Sequence, residues 1–124
     1  MITAPQILVT DDSRTSRVMT LAMIRHRYPD AIIAEAQDGL SAIEMIRQSQ
    51  PNLAIFDVNM PGISGFEAAE IVKTEFPAVT IAMLTANIQE AMRLKAEQLG
   101  VHFFKKPITP VVIGQILDLL VEQQ

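Results

Sequence analysis

The sequence predicts an α/β domain, one doubly wound parallel sheet of five strands with five helices on its two faces. Five short apolar runs rich in β-branched residues alternate with five longer amphipathic segments, the pattern of repeated βαβ units. Several of the runs are continuously apolar, as strands covered on both faces are. Acidic, hydroxyl and amine side chains stand at the ends of these runs, where a parallel sheet gathers its chemistry.

The elements follow in order. Ile7-Leu8-Val9 reads as a buried strand that stops at Asp11-Asp12. Ser13 through Arg27 has helical spacing, with Val18, Leu21, Ala22 and Arg25 sharing a face, and Tyr28-Pro29 closes it. Ala31–Ala36 is a strand, and Asp38-Gly39 supplies turn chemistry before a helix to about Ser49. Leu53–Asp57 is a second buried strand. Met60–Gly65 is a loop, followed by a helix to about Phe76. Val79–Leu84 is the fourth strand, Ile88–Leu99 a helix ended by Gly100, and Val101–Lys105 the fifth strand. Thr109 is an N-cap with Pro110 in the first turn, opening a last helix to about Glu122.

Composition narrows the function classes. With 124 residues, 49 % apolar and 19 % charged, the chain is sized for one domain with a real core. No apolar run approaches the ~20 residues of a membrane helix, and residues 1–15 lack the pattern of a secretion signal, so a soluble, cytoplasmic domain is expected. There are no cysteines, which removes disulfides, thiolate nucleophiles and Cys-ligated zinc. A net charge of −4 argues against a nucleic-acid-binding surface. The seven methionines read as core filler.

Four separated stretches converge on one sheet edge: Asp11-Asp12, Asp57, Thr85, and the Lys105-Lys106 doublet. Like charges ~5 Å apart repel by about 3 kcal/mol per pair at an effective dielectric near 20. Three acids held together therefore need a cation, or one must stay protonated. An all-oxygen site with room for water suits Mg²⁺, and His26 and His102 lie outside the acidic loops, which weakens a zinc reading. With Mg²⁺ on Asp11, Asp12 and Asp57, a phosphoryl group can transfer onto one carboxylate, while Thr85 and a lysine bind its oxygens. Each piece has a plainer reading alone. Asp11-Asp12 also fits a helix N-cap, Thr85 a cap for the next helix that is compatible with a signalling role, and Gly65 the close packing of the third helix.

Asp11-Asp12, Asp57-Val58-Asn59-Met60-Pro61-Gly62-Ile63-Ser64-Gly65, Leu84-Thr85-Ala86 and Lys106-Pro107 together resemble the signature of the response-regulator receiver domain. The resemblance covers essentially residues 1–124 as a single receiver domain. It implies a flavodoxin-like sheet of order 2-1-3-4-5. It also implies Asp57 as phosphoacceptor, Asp11, Asp12, Asp57 and the Asn59 backbone carbonyl as Mg²⁺ ligands, and Lys106 as the phosphate-pairing amine. The resemblance further implies Thr85 as the hydroxyl that moves on activation and Phe103 as the switch aromatic with Phe104 as its competitor, and it suggests a cis bond to Pro107, where the sequence alone permits cis or trans. The amides Asn59 and Asn87 occupy the two positions where family members often carry groups that speed hydrolysis. The expected donor is a sensor histidine kinase or a histidine phosphotransfer domain, and a downstream protein is met through the fourth helix, fifth strand and last helix. Such a chain catalyses only its own phosphorylation and dephosphorylation and is not otherwise an enzyme. Direct nucleic-acid binding and membrane insertion are not expected.

Rival functions fit less well. A flavin carrier would share the fold, but Asp11-Asp12-Ser13-Arg14 replaces its phosphate loop and would repel the flavin phosphate. An aspartyl phosphatase usually carries a second acid two residues past the nucleophile, where Asn59 stands. A binding module of the same fold that no longer accepts phosphate is the serious alternative. On the last helix, Val112, Ile113, Ile116, Leu117, Leu119, Leu120 and Val121 span about 200°, wider than the ~100° stripe of a helix packed on one side. Either an exposed strip awaits a partner or second copy, or helices 1 and 4 cover it. No basic residue lies in 110–124, which disfavours the salt-bridged dimer of the family's DNA-binding branch and leaves a monomer or weak dimer. Met1 and the polar Glu122-Gln123-Gln124 end are the expected limits of a natural chain.

Overall fold

The computed structural model describes residues 4–122; Met1, Gln123 and Gln124 lie outside them. The elements run β1 (Gln6–Thr10), α1 (Arg14–Arg27), β2 (Ile32–Ala36), α2 (Gly39–Gln48), β3 (Leu53–Asp57), α3 (Gly65–Glu75), β4 (Thr80–Thr85), α4 (Glu90–Leu99), β5 (His102–Lys105) and α5 (Pro110–Val121). The strands form one sheet in the order β2-β1-β3-β4-β5, and every pairing is parallel. The expected fold class and strand order are both met.

Strand alternation divides the core into two layers. Leu8, Ala54, Phe56, Ile81 and Met83 face α2, α3 and α4, whereas Ile7, Val9, Ile55, Ala82 and Leu84 face α1 and α5. β3 is buried at every residue because it has strands on both sides and helices on both faces. This rigid centre ends on Asp57.

Local capping chemistry fixes most helix starts. Ser13 accepts from the Ser16 amide, Asp38 from Ser41, and Thr109 from Val112 with Pro110 in the first turn. Ser64 and Glu67 form a reciprocal capping box on α3. At the far end of α4, Gly100 adopts φ +72°, which ends the helix at the expected residue.

The expected face of α1 is corrected, and the open alternative on α5 is decided. The buried side of α1 is Arg17, Thr20 and Ile24; Ala22 and Arg25 are exposed, Val18 is 55 % exposed and only Leu21 is half-buried. Apolar spacing pointed to the wrong face because a charged residue with internal partners occupies the inner one. On α5, Ile113, Ile116, Leu117, Leu119 and Leu120 are buried, which leaves Val121 exposed and Val112 half-buried. The helix packs on both the sheet and α1, so most of its wide apolar arc is covered. Helix 4 plays no part in covering it, since α4 lies on the opposite face of the sheet.

Candidate functional site

Asp57 is the last residue of β3, and Asp11 follows the last residue of the neighbouring β1, so the sheet itself places the two carboxylates side by side. Both are buried, and Asp12 beside them is exposed. One carboxylate oxygen from each of Asp11, Asp12 and Asp57 lies within 4.8 Å of the others. Lys106 approaches from the end of β5, with Nζ 3.4 Å from Asp57 Oδ2 and 3.9 Å from Asp11 Oδ2. Its backbone is held by its amide donating to the Thr85 carbonyl at 2.7 Å, and the Lys106–Pro107 bond is cis. Lys105, its competitor, is exposed and makes no ion pair with the acids among the described residues.

The acids are ordered by backbone donors. Asp11 Oδ1 accepts from the Ser13 amide at 2.8 Å, and Asp57 Oδ1 from the Asn59 amide at 3.4 Å. Burial pushes the Asp11 carboxyl above its ordinary value; the Ser13 amide opposes this, the Asp57 charge adds to it, and Lys106 offsets part. All donors in the cluster are oxygens, a set that fits a hard divalent cation such as Mg²⁺ rather than zinc. His26 and His102 are exposed and lie outside the cluster.

Gly65 is needed for close approach. A Cβ there would stand 2.9 Å from Val58 Cα and nearer still to the Asp57 carbonyl oxygen. Its amide donates to the Val58 carbonyl at 3.0 Å, which brings the start of α3 against the acceptor strand.

Thr85 is fully buried at the end of β4, but its hydroxyl is turned onto its own loop. It accepts from the Asn87 amide and donates to the Asn87 carbonyl, both at 3.3 Å. It does not cap α4, whose N-cap Gln89 makes no side-chain capping bond. Phe103 is half-buried in the α3/α4 layer, its ring 5.7 Å from that of Phe66 and nearly parallel to it. Lys95 of α4 lies over the other partner, 5.4 Å from the Phe66 centroid. Phe104 points into the α1/α5 layer. Thr85 shares the parity of Met83, so it and Phe103 belong to the same sheet face, which separates the two aromatics.

Sequence reasoning missed Arg17 and Glu35. Arg17 Nη1 donates to the Asp11 carbonyl at 2.6 Å and its Nε to Glu35 Oε1 at 3.0 Å. An arginine at a core-facing helical spacing from Thr20 and Ile24 was the available signal.

Residues 7–118 match the family described as the response regulator receiver domain. The chain is 32 % identical over 119 residues to the chemotaxis protein CheY of Halobacterium salinarum, covering 94 % of this chain and 98 % of that one. It is 33 % identical over 109 residues to a protein-glutamate methylesterase/protein-glutamine glutaminase of Myxococcus xanthus, covering 85 % of this chain. The chain spans about 30 % of the length of that relative and of others of its kind. A CheY-like receiver domain protein of Methanospirillum hungatei superposes with a TM-score of 0.88 at 22 % identity, over 97 % of this chain and 96 % of that one, a likeness of fold.

Proposed function

The chain belongs to the response regulator receiver domain family of two-component systems, and from that premise we propose that Asp57 accepts a phosphoryl group from a phosphohistidine donor. The observation that carries this reading is the convergence of three carboxylates, with oxygens within 4.8 Å, on the Lys106 amine 3.4 Å from Asp57. Residues 1–124 act as one such domain.

Asp57 suits the acceptor role better than Asp11. One Asp11 oxygen is committed to the Ser13 amide at 2.8 Å, whereas the Asp57 carboxylate lies nearer the Lys106 amine. An Asp57 oxygen attacks phosphorus, the phosphorus–nitrogen bond of the donor breaks, and the imidazole nitrogen leaves with the electron pair. Lys106 pairs with the incoming phosphoryl oxygens. Asp11 and Asp12, with Asp57 and the Asn59 carbonyl, would hold Mg²⁺, which supplies charge compensation to a phosphoryl group beside three acids. The donor is a sensor histidine kinase or a histidine phosphotransfer domain, and the protein works in the cytoplasm without turnover on a separate substrate.

A phosphoryl group on Asp57 adds strong acceptor oxygens beside β4. The Thr85 hydroxyl then exchanges its loop partner Asn87 for a phosphoryl oxygen. Movement of Thr85 on the face it shares with Phe103 alters the α4–β5–α5 surface that a downstream protein reads. The half-buried Phe103 stacks on Phe66 without any phosphoryl group, which supports a reading in which phosphorylation shifts an existing equilibrium.

Acetyl phosphate with Mg²⁺ tests the reading by intact-mass measurement. Wild type is expected to gain one phosphoryl group, and Asp57→Asn or chelated protein none. Label retained in Asp57→Asn would contradict the assignment, and no label in wild type would favour a binding module of the same fold.

A further inference from the structure

The β1–α1 turn that carries Asp11 is pinned on both sides of one residue. The Asp11 amide donates to the Ala36 carbonyl of β2 at 3.2 Å, and its carbonyl accepts from Arg17 at 2.6 Å. The same guanidinium reaches Glu35, the residue before Ala36, at 3.0 Å. Arg17 is buried, with a side chain 9 % exposed, whereas Glu35 is 43 % exposed. Burying a guanidinium against one half-solvated carboxylate is a weak source of stability, and an apolar side chain at such a place is often neutral or better. What the planar fork does supply is geometry, since its Nε and Nη1 are satisfied by different elements at a fixed angle.

We infer that Arg17, braced by Glu35, is a positioning residue that orients the Asp11–Asp12 turn so that both carboxylates face the divalent cation. This rests on the reading of the acid cluster as a Mg²⁺ site and adds the support behind its ligands. The guanidinium donates to the Asp11 carbonyl and to Glu35; it fixes the Asp11 peptide plane, and through it the direction of the Asp11 side chain and the start of Asp12. The brace crosses from α1 to the edge strand β2, so the site depends on a strand that contributes no ligand.

The charge itself opposes cation binding, so the test must keep the charge and break the fork. Arg17→Lys does this. Mg²⁺ titration calorimetry is expected to show a dissociation constant raised about tenfold, the lower end for loss of support behind a metal ligand. With chelator present, amide exchange at Asp11 and Asp12 is expected to speed up in the same variant. Glu35→Ala, at a half-exposed position, is expected to weaken Mg²⁺ in the same direction by a smaller factor. Glu35→Gln, whose amide oxygen still accepts from Nε, is expected to restore near-wild-type affinity. If Arg17→Lys does not fold, the Glu35 pair decides. Mg²⁺ affinity within about twofold of wild type in the folded variants, with lowered thermal stability alone, would overturn the proposal by showing a structural brace only. Wild type that binds no Mg²⁺, or Asp12→Ala that binds it equally well, would instead overturn the acid-cluster reading and this proposal with it.

Discussion

Helices α4 and α5 are nearly the same length, 10 and 12 residues, and flank the same short strand, yet they are held very differently. α5 buries five large apolar side chains, is capped by Thr109 and Pro110, and is tied to α1 by the Arg27–Asp118 pair at 2.8 Å. α4 buries only Ala96, exposes Leu94 by half, and has no side-chain cap. Burying one large aliphatic side chain contributes roughly 1.5–3 kcal/mol, so the two helices differ by several kcal/mol in what docks them. A helix that costs little to shift can report a small event at its strand end, and a well-docked one cannot. Thr85 stands at the start of the loop that leads to the loosely held helix, and Phe103 and Lys95 of this region both contact Phe66.

The largest expected effect separates the helices by stability. Ile116→Ala in α5 is expected to lower unfolding free energy by about 2–5 kcal/mol, and Leu94→Ala in α4 by about 0.5 kcal/mol or less. Urea denaturation measures both, and equal losses would break the comparison. Capping gives a smaller contrast. Thr109→Ala is expected to cost about 1 kcal/mol, while Gln89→Ser is expected to add about as much by supplying the missing cap to α4. Should Gln89→Ser leave stability unchanged, the start of α4 is satisfied by something other than a side chain.

The smallest effect concerns the acids themselves. The native state holds the Asp11 proton more tightly than the unfolded chain does, chiefly through burial. Stability from this group is therefore full below the ordinary carboxylate pKa and is lost as pH climbs through the raised native value. In chelator near pH 7, Asp11→Asn is expected to melt higher than wild type, and the gain is expected to vanish near about pH 3. A gain independent of pH would assign it to packing rather than to charge.

Most of the fold was legible because local chemistry agreed with pattern. Continuous apolar runs marked strands buried on both faces, and Thr109-Pro110 and Gly100 marked helix ends within a residue or two. Hydropathy failed on α1, where Arg17 faces inward because its partners lie on β1's end and on β2, contacts that no local window contains. It left α5 open because only the packed structure shows α1 and the sheet covering one helix from two sides. The acid cluster was legible since parallel strands deliver their ends to one edge, and of the two lysines the one adjacent to Pro107, Lys106, has its amine 3.4 Å from Asp57 Oδ2. Phe103 and Phe104 could not be separated by spacing; their parity against Met83 of β4 divides them, and that requires the register.

The proposed phosphorylation of Asp57 reaches the α4–β5–α5 surface chiefly through the weakly docked α4 and less through the strongly docked α5. Beryllofluoride with Mg²⁺ mimics the phosphoryl group, and amide and ring NMR shifts can be followed residue by residue. The expected result is large changes at Thr85, Phe103 and residues 86–99, small changes along residues 110–121, and none in Asp57→Asn. Equal changes along both helices, or the same changes in Asp57→Asn, would contradict it.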